Sequence, residues 1–204
     1  SGVEVEINWA DSKGGFDYNI GMNFSTTKNK VVELADKGQV LYGEGLKYGT
    51  EHFPTQTRVG KPIGAFYLYK TNGLFQSNEE ARQYVNADGD EYQPFADAGD
   101  IRYVDVNGDG YIDDDDKVYC GSGIPTLEVN LNFSAGYKGF DLSVVLGSAW
   151  GHKIYNGNKY FYEGMNSGSN FLTSSLNAWT PQNTNTNIPR AIFNDPNGNL
   201  KESD

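Results

Sequence analysis

Apolar and polar residues alternate strictly in four stretches of the chain. In the first, Val3, Val5, Ile7 and Trp9 share one face, while Glu4, Glu6 and Asn8 share the other. In the second, Phe16, Tyr18, Ile20, Met22 and Phe24 alternate with Asp17, Asn19, Gly21 and Asn23. The third runs Leu127, Val129, Leu131, Phe133 and Ala135 against Glu128, Asn130, Asn132 and Ser134. The fourth runs from Phe140 to Trp150 through Leu142, Val144 and Leu146. A period of two is the strand signature, and short polar turns within 11–15 and 136–139 make each pair a hairpin. The spacing predicts a meander in the order 3–9, 16–24, 127–135, 139–150.

The hairpins are separated by nearly a hundred residues of another character. Lys28 to Lys30 end the strand pattern, and Gly43, Gly45 and Gly49 break the next stretch. Residues 61–69 read as an aromatic extended segment. Gln76 to Val85 read as a short helix, with Ser77 as N-cap and Glu80 completing a capping box. The tail after Gly151 is aromatic and rich in Asn, with a weak helical pattern near Phe171 to Ala178. Four segments result: hairpin 1–27, excursion 28–124, hairpin 125–150, and loop region 151–204.

One stretch of the excursion carries chemistry. From Asp105 to Asp116 the residues have the spacing of a twelve-residue calcium loop. Calcium takes six to eight oxygen ligands on a tightly turned backbone. Asp105, Asn107 and Asp109 stand at loop positions 1, 3 and 5, and Gly110 stands where the turn needs φ > 0. Tyr111 offers its carbonyl, and Asp113 binds directly or through water. Asp116 stands in place of the usual Glu, as in the variant loop of dockerin-type modules. Ile112 points inward as an anchor. The opposing reading is a solvated acidic turn, since Asn-Gly and Asp-Gly turn without a metal.

Composition narrows the picture. With 27 acidic and 16 basic residues the formal net charge is −11, which argues against a nucleic-acid partner. No apolar run approaches the length of a spanning helix, although barrel strands would escape such a test. No signal peptide is expected at the N-terminus. Cys120 is the only cysteine, so no internal disulfide forms; it reads as a small core residue beside the calcium loop. Twenty-five glycines and seven prolines suit an all-β chain with long polar loops.

The alternating strands are long enough to cross a bilayer when tilted. Short turns at one end and long loops at the other are the layout of an outer-membrane barrel. Trp9, Phe16, Phe24, Tyr137, Phe140 and Trp150 are expected near strand ends, as in interfacial girdles. A soluble sandwich alternates in the same way. The small polar residues opposite the apolar face favour a wet lumen.

Four blocks, in order, resemble the SusC/RagA-type TonB-dependent outer-membrane transporters. They are Gly60 to Ser77 (GKPIGAFYLYKTNGLFQS), Gly99 to Asp113 (GDIRYVDVNGDGYID), Tyr137 to Val144 (YKGFDLSV) continuing to Gly151 to Asn156 (GHKIYN), and Trp179 to Arg190 (WTPQNTNTNIPR). The resemblance implies import of oligosaccharides or peptides across an outer membrane. It also implies energy from TonB through an N-terminal part outside this sequence, and a SusD-like surface lipoprotein as partner. No plug domain, TonB box or terminal aromatic strand is recognised. The expectation is therefore an all-β fragment of a transmembrane barrel that cannot close alone. The alternative is a soluble extracellular calcium-stabilised module that binds glycan or protein. No catalytic constellation is seen: His52 and His152 are isolated, and no nucleophile elbow or phosphate loop occurs.

Overall fold

A computed structural model describes residues 1–44, 46–48, 50–165 and 170–199. Gly45 and Gly49, expected as chain breaks, and the end of the tail segment lie outside the described residues. The architecture is all-β with short helices, and its sheets are open. Two compact units form: Ser1–Leu41 with Thr57–Ala65 and Gly121–Ile154, and Tyr42–Gln56 with Phe66–Cys120 and Tyr155–Asp204.

The strands in chain order are β1 (Gly2–Lys13), β2 (Phe16–Thr27), β3 (Leu41–Tyr42), β4 (Leu46–Tyr48), β5 (Thr50–His52), β6 (Thr55–Thr57), β7 (Ala65–Tyr69), β8 (Thr71–Leu74), β9 (Ile101–Tyr103), β10 (Lys117–Ser122), β11 (Leu127–Tyr137) and β12 (Phe140–Trp150). The first unit is built on a four-stranded sheet in the order β1-β2-β11-β12. All three pairings are antiparallel, and their register is continuous. This is the meander that alternation predicts, with β1, β2 and β11 running further at their C-terminal ends, to Lys13, Thr27 and Tyr137. The turns are the pairs Gly14–Gly15 and Lys138–Gly139, with all four residues at positive φ. Such turns match the right-handed twist of the flanking strands. Ser12, expected in the first turn, is the penultimate residue of β1.

Register fixes the faces. Ile7, Met22, Leu131 and Leu146 lie on one rung, and Val5, Phe24, Val129 and Ser148 on the next. The opposite face carries Asn8, Gly21, Asn132 and Val145 on one rung and Glu6, Asn23, Asn130 and Gly147 on another. Nothing covers the apolar face among the described residues. Trp9 is 63% exposed and Leu142 56%. The polar face is tied by side chains: the Asn23 amide donates to Glu4 on the neighbouring strand at 3.0 Å, and that of Asn8 to Glu6 along its own strand at 2.7 Å. Gly21 sits where a Cβ would stand 2.7 Å from the Asn8 amide oxygen, so the Asn side chains fill that face.

The second unit holds the buried core. Tyr69, Leu74, Ile101, Tyr103 and Trp179 cluster, with Ala98, Ile112 and Tyr160 packed against them. A satellite cluster joins Phe75, Ala81 and Ala96 under Tyr84. Strand β9 pairs with β8 on one side. Its other backbone groups are met by side chains: Gln93 accepts from Tyr103 N–H at 2.8 Å and donates to Ile101 C=O at 2.9 Å. The Asn199 side chain accepts from Ile101 N–H at 2.7 Å. An edge strand is thereby closed without a further strand, and buried backbone groups stay satisfied.

Helix α1 (Asn78–Gln83) begins at Ser77, whose side chain accepts from Glu80 N–H at 3.1 Å. The expected capping box is altered. Glu80 reaches past the cap to accept from Gln76 N–H at 2.6 Å, and its other oxygen takes Arg102 at 2.6 Å. A second helix, α2 (Gly157–Glu163), has no side-chain cap. The helical pattern near 171–178 is realised as a 3₁₀ turn, Thr173–Asn177.

Candidate functional site

The loop from Asp105 to Asp116 leaves β9 and enters β10. Its turn is made as the spacing demands: Gly108 and Gly110 have φ of 77° and 94°. Asp105 accepts from Gly108 N–H at 2.6 Å and from Gly110 N–H at 2.9 Å, one on each oxygen. Asn107 and Asp109 bond reciprocally, since Asp109 N–H donates to the Asn107 side chain and the Asn107 amide donates back. Tyr111 is exposed and donates its N–H to Asp109 at 3.0 Å.

Asp116 is fully buried and closes the loop. One oxygen accepts from Val106 N–H at 2.7 Å, and the other from Asp113 N–H at 2.9 Å. Asp113 in turn caps the short 3₁₀ turn Asp114–Asp116. Beside it, Lys117 pairs with Asp114 at 2.9 Å while its ammonium lies 5.0 Å above the Tyr69 ring. Ile112 packs on the core cluster, as its inward position predicts. Cys120 lies in β10, half-buried, with its thiol 3.4 Å from the Val118 carbonyl.

Two residues outside the spacing pattern complete the loop. Asn86 donates to the Gly110 carbonyl at 3.1 Å, and the Tyr92 hydroxyl bonds Asp105. Only tertiary folding brings them there, so no local signal announced them. Partial desolvation pushes the Asp105 carboxyl up, but the Gly110 and Gly108 amides and Tyr92 outweigh it, and its pKa falls below the ordinary carboxylate value. The Tyr92 hydroxyl is pushed up by desolvation and then by the charge of Asp105.

All six expected ligands are hard oxygen donors on one turned segment, the chemistry calcium takes. The Asp105, Asp109 and Asp113 oxygens that accept one N–H keep a lone pair for a cation, whereas one Asp116 oxygen takes the amides of both Val106 and Asn107. Among the described residues, no three His, Cys, Asp or Glu side chains converge as a compact metal cage. The loop is instead bonded to its own amides. The donor atoms are of the kind a hard cation takes, but here the carboxylates are held by backbone amides and are not gathered around one point.

A further network fastens the tail. Arg190 grips fully buried Asp100 with two bonds, 2.7 and 2.9 Å. Asn199 also donates to Asp100, and Asp195 holds the Asn199 and Gly198 amides. Burial pushes the Asp195 carboxyl above its ordinary value, and neighbouring Asp100 adds to the rise. Gly99, at φ 88°, leaves no room for a Cβ: one would stand 2.5 Å from the Trp179 ring.

Fold and loop together define an all-β protein with an open sheet, apolar on one face and polar on the other, and an acidic Asx-rich loop. No family model matches the sequence. Three curated proteins of Formosa agariphila are similar. The chain is 29% identical over 191 residues to TonB-dependent receptor P3, and 30% identical over 196 residues to TonB-dependent receptor P26, covering 93% of this chain in each case. It is 28% identical to TonB-dependent receptor P39 over an alignment 169 residues long that covers 69% of this chain. The chain is thus a relative of the TonB-dependent receptors in the broad sense. It spans 18% of the length of the first two and 15% of the third.

Proposed function

We propose that this chain forms part of the transmembrane β-barrel of an outer-membrane transporter energised by TonB. The observation that carries this reading is the uncovered apolar face of β1, β2, β11 and β12. From the rung of Phe16, Tyr137 and Phe140 to that of Leu127 and Trp150 is about ten residues, roughly 34 Å along the strands. A tilt of about 40° shortens this to roughly 26 Å, against an apolar band of about 25 Å in outer-membrane barrels. Aromatic residues stand at both limits. Trp9 and Phe24, expected at strand ends, lie inside the longer strands and so within the band.

The unpaired edges of β1 and β12 cannot face lipid, so further strands complete the sheet. The excursion 28–124 and the tail after Gly151 then lie outside the cell, with the Gly14–Gly15 and Lys138–Gly139 turns in the periplasm. In the finer form of this reading the transporter is of SusC/RagA type. It imports oligosaccharides or peptides, works with a SusD-like lipoprotein, and is not an enzyme. Cysteine scanning of the full-length protein in intact cells tests the topology. An impermeant thiol reagent is expected to label Asp88→Cys and spare Gly139→Cys; the reverse pattern rejects the reading.

Calcium belongs to the same proposal, as a structural ion held by Asp105, Asn107, Asp109, the Tyr111 carbonyl, Asp113 and Asp116. A weak site of roughly 10⁻⁴ to 10⁻³ M stays loaded outside a cell. The alternative, a soluble calcium-stabilised binding module, draws support from the core of the second unit. The bare apolar face of the main sheet counts against it, since soluble proteins rarely expose so large a patch.

A further inference from the structure

The turn end of the main sheet combines three aromatics and two cations. Phe16 pairs with Tyr137, and Tyr137 with Phe140, on a single rung that Lys13 extends to the edge strand. Phe16 and Tyr137 rings are 6.3 Å apart, and Phe140 is 82% exposed. Lys13 shares the parity of Val3, Val5, Ile7 and Trp9, so it belongs to the apolar face. Lys138 sits in the turn at φ 48°, a conformation that disfavours any residue bearing a Cβ. Asn or Gly is the usual choice in such a turn. Lys138 breaks that local rule, and its ammonium lies 5.1 Å over the Tyr137 ring, on the apolar side.

The nearby acids are disposed differently. Asp17 and Asp141 have the parity of the polar face, and Asp17 is engaged by the Ser12 hydroxyl. Asp11 shares the apolar parity, but its carboxylate is turned to its own backbone, accepting Ser12 N–H at 2.7 Å. Lys13 and Tyr137 stand two strand spacings apart, about 10 Å. Lys138 reaches the Tyr137 ring from the turn, and Lys13 stands at the other end of the same rung, next to Phe16.

We propose that this rung binds the headgroup of an anionic phospholipid, with its phosphate between Lys13 and Lys138 and its upper acyl chain on Phe16, Tyr137 and Phe140. The proposal rests on the membrane-barrel reading and adds a specific lipid contact to it. Long cationic side chains at a bilayer boundary keep their stems in the apolar layer and their charge at the headgroups.

The test uses the full-length protein in neutral phosphatidylcholine nanodiscs with two trace probes. One is phosphatidylglycerol carrying a photoreactive diazirine at the headgroup; the other carries it at the acyl terminus. Crosslinks are mapped by peptide mass spectrometry. The headgroup probe is expected on peptides containing 13–18 and 137–140, and the acyl probe on 142–146. A Lys13→Gln/Lys138→Asn variant, in which Asn tolerates the turn, should lower headgroup crosslinking about 25-fold, about fivefold for each lysine. Acyl crosslinking should stay unchanged. Undiminished headgroup crosslinking in the variant, with acyl crosslinks retained, overturns the lipid site alone. Absence of acyl crosslinks on 142–146 overturns the membrane reading itself.

Discussion

The two units solve the problem of apolar residues in opposite ways. The main sheet spreads them over one face and buries none of its large side chains on it; on the membrane reading proposed above, its strands depend on an apolar surrounding. The second unit gathers Tyr69, Leu74, Ile101, Tyr103 and Trp179 into a small core and fastens it with polar side chains. Its aromatics keep their polar ends bonded: Tyr103 hydroxyl to Gly198 carbonyl at 2.7 Å, and Trp179 indole to Gln76 at 3.1 Å. A region with few aliphatic residues can be ordered in this way, by packed rings whose polar ends are bonded. Apolar residues can thus be spread over a face or gathered into a core, and register and burial tell which.

Substitutions sharpen this contrast. The largest effect is expected at the core of the second unit. Trp179→Ala removes a buried ring and should cost about 3–5 kcal/mol of local stability. Faster hydrogen exchange at Ile101 and Tyr103 amides in the full-length protein would register it. If their exchange is unchanged, the tail does not hold β9. Next, Leu131→Arg places a charge near the middle of the apolar face and should cost about 2–4 kcal/mol in a bilayer. Asn132→Arg, one residue on and facing the other way, should cost little. Yield of folded protein in the outer membrane separates them, and equal losses would remove the distinction between faces.

A smaller effect is expected at the acidic loop. Asp116→Ala strips the acceptor from the Val106 and Asp113 amides and should cost about 1–3 kcal/mol. Calcium should raise the melting temperature of the parent protein and leave the Asp109→Ala variant almost unmoved; equal shifts would place the ion elsewhere. The smallest is a pH effect at Asp195. Its folded pKa is raised, so the folded state binds the proton more readily than the unfolded chain. Stability of the tail should fall as pH rises from the ordinary carboxylate range through the raised value. Asp195→Asn should flatten that dependence in hydrogen-exchange profiles of residues 195–199.

The sequence made the sheet legible because its period of two survives folding intact: Leu131 and Asn132 lie on opposite faces whatever lies beyond. The glycine turn and inward Ile112 of the acidic loop were legible for a similar reason, since their bonds are local. Asn86, Tyr92, Gln93 and Asn199 were not. Each meets its partner across the fold, and Asn199 stands almost a hundred residues from Ile101. No periodicity marks such contacts. Helix α2 went unread because it opens on Gly157 and Asn158 with no capping bond. The girdle residues Trp9 and Phe24 were misplaced for a simpler cause: strands run on through Ala10 to Lys13 and Ser25 to Thr27, where polar residues suggested an end.

The ends of the long excursion meet. Thr27 N–H donates to the Thr126 carbonyl at 3.1 Å, at the point where β2 and β11 part. A segment whose two ends lie side by side can be exchanged without altering the strands that carry it, because the join demands the same short span whatever lies between. Relatives could thus inherit the same sheet while trading one inserted body for another of different length and surface. In the laboratory, the step from Thr27 to Thr126 is one seam for transplanting such a body, and the tail that packs on it through Trp179, Arg190 and Asn199 has to travel with it.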